Sequence, residues 1–220
     1  MPDANAWWNR AAQEDARWYI ATTAEPFFER GRRDTDELVA FCGLRPSKDK
    51  TLLEIGAGAG RMTGRFAELY GRVIAVDVSE EMLRLGRGSL AGIGNVEWVL
   101  GSGADLAGIP DGGVDDVFSY ITLQHVPDRA VVLRYLEEAG RVLRPGGQGA
   151  LQVRHPGPLP WAVDLAGHLV HVAQGRRVWS AAWRGTRLPA RRLRQAASRS
   201  GARVELRPRG RRHLWVLLWR

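Results

Sequence analysis

A chain of 220 residues holds one sizeable core and leaves little room for a second independent domain. With 45% hydrophobic and 25% charged residues it has the composition of a globular protein, it contains no apolar run of about 18 residues that could span a membrane, and Cys42 as its single cysteine excludes an internal disulfide and suits a reducing, cytoplasmic setting. The net charge of +8 is uneven: residues 151–220 carry 15 Arg against Asp164 and Glu205 alone, whereas residues 1–150 carry 17 basic and 22 acidic side chains.

The first residues are interrupted by Asp3, Arg10, Glu14 and Asp15, so they lack the apolar stretch of a signal peptide. Asn5 to Ile20 reads instead as an amphipathic helix, with Trp7, Ala11 and Trp18 on one side and Trp8, Ala12 and Tyr19 on the adjacent strip. A second helix is expected from about Thr35 to Cys42, stopped by Gly43, with Arg45 to Lys48 as a polar linker. Strands and helices then alternate. Thr51 to Ile55 is a strand, Arg61 to Tyr70 a helix and Arg72 to Val76 a second strand. A helix follows from Ser79, whose hydroxyl is its N-cap. Val96 to Leu100 and Val114 to Tyr120 are strands three and four, and Asp115 is read as a structural residue at the start of the latter. Asp128 to Leu143 is a helix closed by the turn Arg144-Pro145-Gly146-Gly147, before a fifth strand from Gly149 to Val153. Repeated units of this kind imply a parallel sheet covered by helices on both faces. Pro156, Pro158 and Pro160 mark a loop before a helix at about Trp161 to Ala173. The tail reads as a helix from Arg191 to Ser200 and two strands, Ala202 to Leu206 and His213 to Trp219. Arg207 to Arg212 is too short for a crossover helix, so these two strands must pair antiparallel.

The chemistry concentrates where strand one meets the first helix, at Leu53-Glu54-Ile55-Gly56-Ala57-Gly58-Ala59-Gly60-Arg61. Parallel sheets bind ligands at the carboxyl ends of their strands, and glycines there let backbone amides approach the ligand closely. The glycines fall at 56, 58 and 60, which is not the G-x-G-x-x-G spacing of dinucleotide sites, and no G-x-x-x-x-G-K-[ST] phosphate loop occurs. Asp77 ends strand two, 21 residues after Gly56, where a carboxylate can accept both hydroxyls of a ribose. An acid at Glu54, two residues before the first glycine, separates this pattern from a dinucleotide site.

Residues 54–61, Ala75-Val76-Asp77-Val78-Ser79, Asp115 through His125, and Arg141 to Gly147 resemble, in order, the motifs of class I S-adenosylmethionine-dependent methyltransferases. The similarity runs over about residues 50–154. It implies a doubly wound, Rossmann-like α/β fold with a seven-stranded sheet, mostly parallel with the last strand antiparallel, and helices on both faces under an N-terminal helical lid. The implied cofactor is S-adenosylmethionine, with S-adenosylhomocysteine as product. By position, Gly56, Ala57, Gly58 and Gly60 would line the methionine portion, Glu54 would hold its ammonium and Arg61 its carboxylate. Asp77 would bind the ribose, with Val78 against the adenine. Ser102 and Gly103 occupy the third family site, where many members place an acid for the adenine amino group. Tyr120 and His125 would lie near the sulfonium, and His125 is the candidate base because imidazole titrates near neutrality.

On this reading the chain is one domain: an N-terminal cap (1–45), a cofactor-binding core (50–154), an acceptor-pocket insertion (155–190), and a last helix with a strand hairpin (191–220). Trp18 and Tyr19 of the cap and His155 and Trp161 of the insertion are the candidate acceptor contacts, and their chemistry suits a small planar or hydrophobic molecule. Asp164, His168 and His171 share a helix face at i, i+4 and i+7, but without further ligands no metal is expected. Two alternatives stay open. The basic tail suits an RNA-directed methyltransferase, although an overall bias toward Arg explains it more plainly, since Lys48 and Lys50 are the only lysines. A protein of this fold can also bind the cofactor without transferring methyl.

Overall fold

Short apolar runs alternating with helix-forming stretches dictate a sheet between helical layers. The computed structural model, which describes residues 8–10, 12–13, 26–154, 186–210 and 213–220, has this architecture. Its elements are α1 (Phe27–Cys42), β1 (Thr51–Ile55), α2 (Thr63–Leu69), β2 (Arg72–Asp77), α3 (Glu80–Ser89), β3 (Val96–Leu100) and β4 (Val114–Ser119). A 3-10 turn at Leu123–His125 then leads to α4 (Arg129–Val142), β5 (Leu143–Arg154), α5 (Ala190–Ser198), β6 (Arg203–Arg209) and β7 (His213–Trp219). The sheet order is β3-β2-β1-β4-β5-β7-β6. Strands β1 to β5 pair in parallel, and β7 runs antiparallel between β5 and β6. The terminal hairpin is therefore as expected, and the fold is the seven-stranded Rossmann-like class that the motifs imply.

Neighbouring residues of each central strand serve opposite layers, which is why these strands read as unbroken apolar runs. Leu53, Ile55, Val76, Val117 and Leu151 pack beneath α4 and α5. Leu52, Val73, Phe118, Ala150 and Trp215 pack against α1 and α2, which supply Leu38, Phe66 and Tyr70. Trp215 is fully buried, with the Phe118 ring 5.7 Å away and Tyr120 stacked on it at 5.7 Å and 13°. Burying one such side chain contributes about 1.5–3 kcal/mol.

Several boundaries differ from the sequence reading, each for a physical reason. Helix α1 begins at Phe27, not near Thr35, because after Phe27 and Phe28 the run Glu29 to Asp34 is polar apart from Gly31, which interrupts any apolar stripe. Gly31 is needed there: a Cβ at this position would stand 1.8 Å from the Arg61 carbonyl oxygen. The helix does stop at Gly43, in the left-handed conformation at φ 73°, with the Leu44 amide bonded back to Val39. Helix α2 starts two residues later than expected, since Gly58 and Gly60 hold positive φ and prolong the preceding turn. The Pro145-Gly146-Gly147 segment is not a free turn. It lies within β5, where the pairing with β4 jumps from Val114–Leu143 to Asp116–Gln148, and Gly146 and Gly147 exchange backbone bonds with Arg220.

Polar residues at the amino ends of the strands are structural. Asp115 accepts a hydrogen bond from the Thr51 amide at 2.9 Å and pairs with Arg144, while Asp116 accepts from Tyr70 Oη at 2.9 Å and from Lys50. Much of the basic tail also has partners within the fold. Arg207 donates to the Phe41 carbonyl, Arg209 to Glu37 and Arg199 to Glu137, and Arg203 lies 4.5 Å over the Trp219 ring. Among the described residues no helix is long and apolar enough to cross a membrane.

Candidate functional site

The carboxyl ends of β1, β2 and β4 open onto one cavity of about 320 Å³, at the lower end of the range for small-molecule sites. Chain reversal at the end of β1 builds its first wall. The Gly56 and Ala57 amides both bond to the Val76 carbonyl, at 2.7 and 3.0 Å, which pins the loop to β2. Gly56 holds φ 79°, and a Cβ there would lie 2.0 Å from Thr122 Oγ1 on the segment after β4. Only glycine satisfies both demands.

Asp77, at the end of β2, is half-buried and braces this loop. Its Oδ2 accepts from the Gly58 amide at 2.8 Å and its Oδ1 from the Ser79 amide at 2.9 Å. Burial pushes its carboxyl above the ordinary range, and these backbone donors oppose that shift. Each oxygen keeps a second lone pair, so the carboxylate can accept from a ligand while holding the loop. Ser79 caps α3 as expected, accepting from the Met82 amide at 3.2 Å.

Glu54 is 5% exposed and accepts from Thr63 Oγ1 at 2.7 Å. Burial raises its carboxyl to about 7, against the lowering effects of Thr63 and the Arg61 charge. Arg61 is 7% exposed, and its Nη1 lies 2.6 Å from Asp34 Oδ2 on α1. Asp34 was missed from sequence because the stretch around it was not read as helix. No motif signals it, but Gly31 one turn earlier, which lets α1 sit on the Arg61 backbone, places it there.

All residues assigned to the cofactor from sequence line this cavity except Gly60 and Ser102. Gly60 faces α3 and β3: a Cβ there would meet Leu90 at 3.0 Å and Trp98 at 3.1 Å, so this glycine serves packing. Ser102 turns into its own loop, donating to Asp105 Oδ1 at 2.8 Å and accepting from the Ala104 and Asp105 amides. Its neighbour Gly103 takes the place on the wall.

The segment after β4 builds the opposite wall. Ile121 sits at φ 54°, the one non-glycine residue at positive φ among the described residues. For a β-branched side chain this conformation costs about 1–3 kcal/mol and persists only where surrounding contacts impose it. Here the Ile121 amide donates to Gln152 Oε1 at 2.9 Å. Gln152, fully buried on β5, bonds in turn to Gln124, whose amide lies 3.1 Å from His125 Nε2. His125 is buried on the cavity wall, and Trp8 meets its ring edge-to-face at 5.8 Å. Sequence reasoning found His125 and Tyr120 but neither glutamine, because an isolated Gln in a strand or turn carries no signal.

Residues 8–10 and 12–13 are helical. Trp8 lines the cavity, Ala12 packs with Ala59 and Met82, and Asn9 Oδ1 accepts from Ser79 Oγ at 2.6 Å. The other candidate acceptor contacts, Trp18, Tyr19, His155 and Trp161, lie outside the described residues, as does the Asp164, His168 and His171 trio. Among the described residues no cluster of three acidic, His or Cys side chains could hold a metal. Burial pushes the Cys42 thiol up to about 12, which suits a packing residue rather than a nucleophile.

Comparison with known proteins agrees with this geometry. The family described as "Methyltransferase domain" matches residues 53–151. A trans-aconitate 2-methyltransferase from Azoarcus sp. (strain BH72) is 37% identical over 131 residues, 53% of this chain and 48% of that protein. A ubiquinone/menaquinone biosynthesis C-methyltransferase from Escherichia coli is 35% identical over 107 residues, 46% of this chain and 41% of its own. The chain thus spans about half the length of the curated relatives it matches. Among solved structures, an S-adenosylmethionine-dependent methyltransferase from Mesorhizobium loti superposes with a TM-score of 0.65 at 20% identity, covering 84% of this chain and 98% of that one. One from Aquifex aeolicus reaches 0.60 at 20% identity over 99% and 98% of the two chains. At these identities the structural likeness speaks for the fold.

Proposed function

We propose that this chain, whose residues 53–151 match a methyltransferase-domain family, binds S-adenosylmethionine in the cavity beside Gly56 and Asp77 and transfers its methyl group to a small, planar or hydrophobic acceptor. One observation carries the reading. A single cavity joins the glycine loop and Asp77 on one wall to a mostly apolar opposite wall, where Tyr120, His125 and Trp8 stand. The first wall suits an adenosyl amino acid: a glycine loop that brings backbone close to the cavity, the Asp77 carboxylate at the end of β2, and the Glu54 and Arg61 pair of opposite charges.

When bound, S-adenosylmethionine supplies a methyl group already activated on a sulfonium, so the protein's tasks are alignment and exclusion of water. Glu54 holds the ammonium and Arg61 the carboxylate of the methionine portion. Asp77 receives the ribose hydroxyls, and Val78 and Gly103 flank the adenine. Trp8 stands on the acceptor side of the cavity. The apolar wall supports an acceptor that binds by burial rather than by charge, and this favours a metabolite over RNA.

Calorimetry tests the cofactor: S-adenosylhomocysteine binds and a nicotinamide dinucleotide does not, and the reverse result ends the proposal. Labelled S-adenosylmethionine with fractionated metabolite pools then tests transfer. Label appearing in small apolar products is expected, and label appearing only in RNA or in polyanionic acceptors removes the acceptor class.

A further inference from the structure

A chain of side-chain amides reaches His125 from β5, and its polarity can run in one direction only. The Ile121 amide offers nothing but a proton, so the Gln152 atom facing it at 2.9 Å must be the oxygen. Gln152 Nε2 correspondingly lies 2.8 Å from the Val153 carbonyl and 3.0 Å from Gln124 Oε1, so both its protons are committed. With the Gln124 oxygen engaged, its Nε2 is what faces His125 Nε2 at 3.1 Å. A ring nitrogen that receives an amide proton carries a lone pair, and the proton of the neutral imidazole then resides on the other nitrogen.

We infer that Gln152 and Gln124 are positioning residues that hold His125 as the neutral imidazole with its proton on Nδ1, so that the ring offers a hydrogen bond and does not serve as the base. Protonating Nε2 would set an N–H against the Gln124 amino group. Turning Gln124 to relieve this would oppose two amino groups at Gln152, and turning Gln152 would oppose one to the Ile121 amide. The fixed end of the chain is therefore a backbone N–H in a left-handed residue, which has no alternative proton arrangement. The catalytic meaning of this assignment rests on the methyltransferase reading, but the tautomer itself does not. Under that reading, His125 is not the group that removes a proton from the acceptor. This revises the role that the sequence alone suggests for His125.

Nitrogen NMR of the full chain labelled at histidine tests the inference, with H125N to assign the resonances and S-adenosylhomocysteine titrated into the same sample. Expected are a protonated Nδ1 and a bare Nε2 for His125. In Q124E the carboxylate still accepts from Gln152 but presents only oxygen to the ring, so the proton moves onto Nε2. Q124L removes the contact and yields a mixture of tautomers. A wild-type ring protonated at Nε2, or a Q124E spectrum identical to wild type, overturns the inference. If Q124E does not fold, the wild-type pattern alone decides. Should the expected pattern be found while S-adenosylhomocysteine does not bind, the cofactor reading fails and the tautomer assignment stands.

Discussion

The two walls of the cavity are built on different principles. On the β1–β2 side the geometry is held by backbone groups: Gly56 and Ala57 bond to Val76, and Gly58 and Ser79 to the Asp77 carboxylate. On the β4 side it is held by side chains distant in sequence, with Gln152 on β5 fixing both Ile121 and Gln124. The first arrangement depends on which residues lack a side chain. The second depends on which residues have an amide of the right length.

The largest expected effect comes where the walls touch. In Gly56→Ala the new Cβ meets both Thr122 Oγ1 and a left-handed backbone, so S-adenosylhomocysteine affinity should fall about 100-fold or more, read by calorimetry on protein whose circular dichroism is native. Removing the obstacle in a G56A/T122G double variant separates the causes. Recovery to within a few-fold of wild type would show that the clash dominates and that the walls are coupled. No recovery would leave the backbone conformation as the reason. Asp77→Ala comes next. It strips the Gly58 and Ser79 amides of their acceptor, a loss of about 1–3 kcal/mol, so affinity should drop roughly 30-fold. Asp77→Asn, which retains one acceptor oxygen, should fall between. An Asp77→Ala protein that binds as wild type does would show that the loop does not need its brace.

Protonation gives a third, smaller effect confined to the glycine side. The Glu54 carboxyl sits at about 7 in the fold against an ordinary 4.5, raised chiefly by burial. Because the folded value is the higher one, this group's contribution to stability is fully present below about pH 4.5 and is lost as pH rises through about 7, a span worth on the order of 3 kcal/mol. Binding of an ammonium needs the ionised form, so cofactor affinity should move the other way, rising roughly tenfold between about pH 6 and about pH 8. Glu54→Gln keeps an acceptor for Thr63 and should flatten both profiles. An unchanged slope in that variant would assign the titration to another group.

The sequence made one wall legible and left the other nearly silent. Glycine spacing, the acid at 77 and the cap at Ser79 are local features, each tied to a backbone requirement, and all three hold in the structure. Gly60 shows where that logic overreaches, since a motif glycine can be needed for packing against Leu90 and Trp98 rather than for a ligand. Ser102 shows the same for a loop whose hydroxyl is consumed by its neighbour Asp105. Asp34, Gln124 and Gln152 could not be found, because each matters through a partner 27 or more residues away or through a proton count that spacing does not encode. Chain order and strand polarity were readable for the opposite reason: the apolar runs and the short final connection leave few alternatives.

The smallest effect tests whether the N-terminal helical residues belong to either wall. Asn9 Oδ1 accepts from the Ser79 hydroxyl, and the same hydroxyl accepts from the Met82 amide. Asn9→Ala removes the first bond, together with the long 3.4 Å bond from the Glu81 amide, and leaves the second, so α3 keeps its Ser79 cap and overall stability should change by less than about 0.5 kcal/mol. If Trp8 and its neighbours close the cavity over a bound ligand, losing about 1 kcal/mol of docking should still appear as a roughly fivefold faster dissociation of S-adenosylhomocysteine in stopped-flow, with association little altered. Trp8 fluorescence alone would not decide this, because the chain has nine tryptophans. An unchanged dissociation rate would mean that the segment packs against the glycine side without covering it, and the cap would then have to be sought elsewhere in the chain.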